Sequence, residues 1–440
     1  MRAFLIILFI SSSLLSFAQF GNDFLFYSIN KRSVNLGAEY ELNSDFLSNS
    51  FVNRFYKGGY IDKTLKDDQL TRISGINKIG GILNTNLTAY IGKDSSKYRF
   101  IAGVNHRQFF NASITDDVYK FGLYGNKQFV GEEANLGNSQ VNNYSYQEFK
   151  LGFLVDGPDT TKAIMGMALS YLKGQSFFRL NTNSSNVFTA LDASYISLTT
   201  NAQLSLSDTA SRYWHDFNGH GMSAEFFAET PYKSKLGDSK FILSVSNLGF
   251  IKWSSNTLNY TADSTFTYSG VYINDIFDLQ DSTLNSISVD SISENATNLE
   301  RAKSSTNLPV TFLIIHKIRF SKLFEFTTGF RHLFNANYKP YLFTEGMFYI
   351  SDKFSVNTHL GFGGYGKLSG GIGLTGTIKK HLVLRMGSNS IQGFVVPKKP
   401  WVKVHTFQSP INFENETILY ISDTTYNCKQ FFICSGFCFC

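Results

Sequence analysis

The stretch FSVNTHLGFGG at residues 354–364, continued by LSGGIGLTGTI at 368–378, decides the fold. Phe354, Val356, Thr358, Leu360 and Phe362 alternate with Ser355, Asn357, His359, Gly361 and Gly363. The next run repeats the pattern, with Leu368, Ile372, Leu374 and Ile378 set against Ser369, Gly371, Gly373, Thr375 and Thr377. A period of two puts one set on each face of a strand. One face suits hydrocarbon; the other, of glycine and small polar residues, suits a wet or polar interior.

The same alternation occurs earlier in the chain. Phe149, Leu151, Phe153 and Val155 flank Lys150, and Met222, Ala224, Phe226 and Ala228 flank Glu225. The composition agrees: of 440 residues, 43% are apolar, 16% aromatic and only 17% charged, with 43 Phe and 23 Tyr. Mean hydropathy is −0.11, too low for a bundle of membrane helices, which needs apolar runs of about 20 residues. A core-less disordered chain is excluded by the apolar content. The reading is an all-β, antiparallel transmembrane barrel of about 14 strands. A soluble sandwich or propeller fits less well, because charge is low and no blade-length repeat occurs.

Residues 1–18 read as a secretory signal: Arg2 supplies positive charge, Phe4 to Ile10 an apolar core, and Ser16-Phe17-Ala18 a cleavage site. The expected destination is the outer membrane of a Gram-negative cell, reached with help from the barrel-assembly machinery. Residues 19–33 precede the alternation and are either a small plug or a tail. The barrel is expected over 34–396. The polar stretch from Asn274 to Ser305, with Asp275, Asp278, Asp281 and Asp290, reads as a long extracellular loop.

Chemistry-bearing motifs are sparse. Gly361-Phe-Gly363-Gly-Tyr-Gly366 matches a dinucleotide fingerprint by spacing. That chemistry needs the glycines to open a helix, and here they join two strands, so a tight hairpin is the reading. His215, Asp216 and His220 share a loop without a metal-ligand spacing. No G-x-S-x-G elbow or H-E-x-x-H motif occurs, and no basic run marks a nucleic-acid surface. No catalytic residue, metal site or cofactor is assigned, and the chain is read as a non-enzyme. Glu225, Glu325, Glu345, Ser355, Asn357 and His359 are the candidate lumen-facing residues. Trp253 closes a strand and reads as a member of the interfacial aromatic girdle.

The segment Ser246-Asn247-Leu248-Gly249-Phe250-Ile251-Lys252-Trp253, with Phe266-Thr-Tyr-Ser-Gly270 and Leu308-Pro309 after it, resembles an uncharacterised outer-membrane barrel family of Bacteroidota. The resemblance covers most of the mature chain, and rests on Asn247, Leu248, Gly249, Phe250 and Trp253. That family is distantly similar to fatty-acid-transporter-like barrels and to secretion-associated barrels of the same bacteria. The resemblance implies a single-chain barrel of about 14 strands. The Asn-Pro-Ala signature of the fatty-acid transporters is absent, and Tyr27-Ser-Ile-Asn-Lys-Arg32 stands near its place. The expected function is passage or binding of a small, perhaps hydrophobic, solute, with membrane lipid as a further partner. A structural or secretion-accessory barrel, docking proteins through its loops, is the alternative.

Residues 397–440 look foreign to the rest. All four cysteines, Cys428, Cys434, Cys438 and Cys440, fall there, and the tail ends without a sustained alternation. Lys398-Lys399 permits an adenine run in the gene, where a one-base slip is easy. The frame one base earlier permits a short alternating strand with a terminal Phe. The expectation is a frameshifted tail with no native strand from about Pro400. Sequencing the gene across these two codons checks the cause: a slip predicts one missing or added base, and an intact reading frame refutes it.

Overall fold

A computed structural model describes residues 32–56, 58–93, 96–157, 162–208, 217–269, 298–378, 382–391 and 400–411. The signal segment, residues 19–31, most of the expected long loop and the cysteines lie outside the described residues. In chain order the strands are β1 (Ser33–Ser48), β2 (Ile76–Gly92), β3 (Tyr98–Thr115), β4 (Glu133–Asn135), β5 (Ser139–Asp156) and β6 (Ile164–Thr189). They continue as β7 (Ile196–Leu206), β8 (Gly219–Ser234), β9 (Gly237–Trp253), β10 (Leu258–Tyr268), β11 (Asn298–Arg301), β12 (Ser305–Asn307) and β13 (Thr311–Arg319). The last are β14 (Phe324–Leu333), β15 (Lys339–Ser351), β16 (Phe354–Gly364), β17 (Leu368–Ile378), β18 (Leu382–Ser388) and β19 (Pro400–Ile411).

Among the described residues fourteen of these strands close a ring by antiparallel pairing. Its first half runs β1, β2, β3, β5, β6, β8, β9. The second half continues β13, β14, β15, β16, β17, β18, β19 and returns to β1. Closure satisfies the backbone donors and acceptors that hydrocarbon would otherwise strand at several kcal/mol each. The sequence expectation ends the barrel at residue 396 and gives the tail from about Pro400 no native strand, at most a makeshift one with poor closure; the ring takes residues 400–411 as β19, and its two sides pair unequally. The backbone of β19 pairs with β1 in ten successive positions, from Val34↔Ile411 to Asn43↔Val402. Its other side meets β18 at four positions only, Leu382, Arg385, Met386 and Gly387.

The pleat sorts the side chains. Leu151, Leu169, Met222, Leu360 and Phe362 are exposed on the outer wall, where Leu360 is 60% accessible. Lys150, Ser170, Ser223, Glu225 and His359 point inward and are buried. No helix among the described residues is long and apolar enough to cross a membrane. Connections are short at one end, as between β8 and β9 or β15 and β16, and long at the other. Short turns mark the periplasmic end and long connections the outer end.

Three short helices ride on the outer end: α1 (Asn49–Tyr56), α2 (Lys63–Leu70) and α3 (Asp116–Tyr124). Asp62 caps α2 through Leu65 N–H, and Thr115 caps α3 through Val118 N–H. Phe51 and Val52 of α1 pack with Leu42, Leu65 and Leu123. The 26-residue β6 outreaches its neighbours, and its far half pairs with β7, which pairs with β10, which pairs with β11. The result is a small sheet standing above the barrel.

The outward set predicts a sharp asymmetry of substitution. Leu360→Arg is expected to cost about 2–4 kcal/mol if it lies near the midplane. Asn357→Arg, on the inner face, is expected to cost far less. Urea titration of folding into lipid vesicles checks this; equal losses would reverse the assignment of faces.

Candidate functional site

Alternation on β1 aims Glu39, Glu41, Asn43 and Asp45 into the lumen, and all four are buried. Glu41 meets Arg331 of β14, whose Nη1 and Nη2 each donate to Oε2 at 3.2 Å. Asn43 Nδ2 donates to the other carboxylate oxygen at 2.6 Å. The guanidinium also lies over the Tyr338 ring, 5.4 Å from its centre. β1 and β14 are not neighbours: five strands, β15 to β19, separate them round the wall. The Glu41–Arg331 pair therefore spans the lumen. Nearer the outer end Lys339 Nζ reaches Asp45 Oδ2 at 2.8 Å, a second tie from β15 to β1.

A deeper cluster joins β3, β5 and β8. Arg107 Nε lies 3.0 Å from Glu148 Oε2, and Lys150 Nζ lies 2.7 Å from Glu225 Oε2. Longer contacts of 3.7 Å cross-link the pairs, Arg107 to Glu225 and Lys150 to Glu148. Asn105 and Ser170 donate to Glu148 at 2.8 and 2.7 Å. Two carboxylates and two cations balance, as burial demands, since one left alone would be costly.

Aromatic rings fill much of the remaining interior. Trp253 is buried inside, not in the girdle as the sequence suggested. A side chain on Gly174 or Gly219 would collide with its ring, so those glycines make the room. Its Nε1 donates to Thr306 Oγ1 at 2.9 Å, and the ring stacks on Phe177. Tyr365, in the β16–β17 turn, lies on Gly80 of β2 and donates to the Ala336 carbonyl at 2.6 Å. The glycine-rich stretch thus forms a turn that carries a ring inward, with Gly363 and Gly364 both at positive φ.

Among the described residues, two crevices in the outer half of the lumen share Arg331 in their linings. The larger holds about 540 Å³ of empty space, its open mouth included, between Ile82, Phe109, Tyr146, Pro309 and Leu333 on its apolar sides. Glu39, Asn84, Arg107 and Asn247 add polar groups. The smaller, about 390 Å³, lies between Glu41, Asn43, Tyr338, Tyr341 and Ser369. Each lining sets apolar side chains beside charged or hydrogen-bonding groups, Arg331 among them in both.

The residues singled out by sequence fall in different places. Glu345 and His359 face each other across β15 and β16, with Oε1 and Nδ1 3.1 Å apart. His359 Nε2 continues to Tyr341 Oη at 2.7 Å, and Tyr341 to Ser369 Oγ at 2.7 Å, which reaches the smaller crevice. Glu225 belongs to the deeper cluster. Glu325 lies toward the periplasmic end, 3.7 Å from Lys317. Ser355 and Asn357 share the inner face of β16 with His359 without joining that chain. His215 and Asp216 lie outside the described residues; His220 is exposed on β8 beside Phe217. No group of metal-holding side chains occurs among the described residues.

The motif around Asn247 is a bulge. The β8–β9 register shifts between Ala224 and Phe226, and Asn247 takes φ 59° there. Its Oδ1 accepts from Arg107 Nη1 at 2.9 Å. A side chain on Gly249 would strike the Met222 carbonyl, and the Gly249 carbonyl accepts from Leu308 N–H at 3.0 Å. Leu248 is exposed on the outer wall, and Phe250 carries Lys252 over its ring. Arg331, Glu41, Arg107, Glu148 and Lys150 were missed by sequence. Their signal was present: a charge at inward parity between outward apolar residues, as Lys150 lies between Phe149 and Leu151.

A family model described as a family of unknown function, DUF5723, matches residues 29–387, and the chain belongs to that family. No curated protein matches it. Among solved structures, the toluene transporter TbuX of Ralstonia pickettii is similar at 8% identity and a TM-score of 0.44, over 88% of this chain and 90% of that one. The toluene transporter TodX of P. putida is similar at 6% and 0.41, over 88% and 92%. A FadL homologue of Pseudomonas aeruginosa is similar at 8% and 0.41, over 88% and 91%.

Removing one partner of the spanning pair should hurt more than removing both. Arg331→Ala is expected to cost about 3–5 kcal/mol, because Glu41 keeps a buried charge without its main partner. The double variant Glu41→Gln, Arg331→Met should recover most of that loss. A double-mutant cycle on urea midpoints in vesicles checks the coupling.

Proposed function

We propose that this barrel binds a small solute in the outer half of its lumen and passes it across the outer membrane when the spanning ion pair yields. One observation carries the reading: Arg331 lines both crevices and is tied across the lumen to Glu41. A solute in either crevice meets the group that holds the passage shut. A permanently open diffusion pore is disfavoured, since it would not carry buried charge pairs from wall to wall. The larger crevice, with Phe109, Tyr146 and Leu333 beside Arg107 and Asn247, favours a solute with an apolar body and one polar or anionic end.

The outward apolar wall supports residence in the outer membrane, and the amino-terminal segment supports export through a cleaved signal. On this reading membrane lipid and the barrel-assembly machinery are partners of the mature chain. The passage needs no chemical step.

Planar-bilayer recording tests the proposal. The intact protein is expected to show little steady conductance, and the Glu41→Gln, Arg331→Met variant several-fold more. In a Glu41→Gln variant, which keeps Arg331, 3-phenylpropionate should reduce the current and mannitol should not. A large steady conductance of the intact protein, or equal block by both solutes, would overturn it.

A further inference from the structure

We infer that the short-turn end of the barrel carries a rim that selects anionic phospholipid headgroups, independently of what passes through the lumen. A base is paired with an apolar neighbour at one turn after another. Between β8 and β9 the tip is Lys235-Leu236, both exposed, with Leu236 62% accessible. Between β13 and β14 it is Lys322-Leu323, with Leu323 66% accessible. Lys353-Phe354 opens β16, and Lys97-Tyr98 opens β3, again with all four exposed.

Short turns with an exposed leucine are poor choices for a purely aqueous surface. They suit an interface, where the apolar side chain enters the acyl region and the lysine reaches the phosphate layer. The wall just inside the rim agrees. Phe100, Phe348 and Phe241 are exposed there, and Tyr232 stacks on Phe241 and His316, an aromatic girdle at that depth.

The charge balance names the occupant. Among the described residues at this end, Asp238 and Asp352 are the exposed acids, against those four lysines and also Lys93, Lys233 and Arg319. Half-buried Lys240 and Lys317 are each paired, to Glu229 and Glu325, and contribute little. The outer end differs, because exposed Asp62, Asp67, Glu132 and Asp192 offset its bases. Basic side chains beside an anionic leaflet are each attracted to it. The chemistry fits a phosphodiester headgroup with net negative charge on the periplasmic leaflet.

The test uses the full chain refolded in detergent and then given equal amounts of phosphatidylglycerol and phosphatidylcholine, with retained lipid counted by native mass spectrometry. The intact protein should retain phosphatidylglycerol preferentially. The triple variant Lys235→Glu, Lys322→Glu, Lys353→Glu should lower that preference on the order of tenfold. A control with Lys63→Glu and Lys127→Glu at the outer end should keep it. Heat-modifiable migration verifies that each variant has folded; if the triple variant fails, the three single variants give the same readout in smaller steps. Equal retention of the two lipids by the intact protein overturns the inference, and so does a folded variant that keeps its preference. Binding of soluble polyglutamate without lipid preference would assign the rim to a soluble acidic partner and overturn it too.

Discussion

Every backbone N–H and C=O within hydrocarbon must be paired inside the protein, and the rest of this structure depends on meeting that condition. It explains why the strand ring closes at all, and why Pro400–Ile411 is drawn against β1 despite a sequence that alternates poorly. It also explains where the ring is thin. β19 meets β18 at four positions against ten successive ones on β1, so the β18–β19 seam is the least secured part of the wall.

Closure leaves an interior to be filled, and this chain fills it with charge and rings. The deeper cluster links three strands by two acids and two bases, all of them buried. The Glu41–Arg331 pair then joins strands that the ladder keeps far apart. Each pair is a weak source of net stability, because desolvation offsets attraction. Its stronger effect is on specificity: once one member is inside, the other has nowhere cheaper to go.

The outer wall was legible in the sequence because its rule is local. Outward exposure at Phe354, Leu360 and Phe362 follows from period two alone, and a strand number of about 14 follows from counting such runs. The lumen was much less legible, because its contacts join residues far apart in the chain. Glu41 and Arg331 are 290 positions apart, and nothing near either one announces the other. His359 and Glu345 were singled out separately; only the β15–β16 register brings them together. Trp253 misled for the same reason. A tryptophan at a strand end suits a girdle, but glycines on β6 and β8 had already cleared an interior place for it.

The ring of Tyr365 resting on Gly80 couples two positions that three strands, β18, β19 and β1, keep apart round the wall. Any side chain at position 80 takes the space the ring occupies, so position 80 can grow only after position 365 has shrunk. In a lineage of such barrels the order of change is therefore fixed: loss of the ring leaves a gap, whereas a larger residue at 80 beside an intact Tyr365 displaces the turn. That makes the glycine-rich turn a heritable record of how the mouth is closed, written in two places at once.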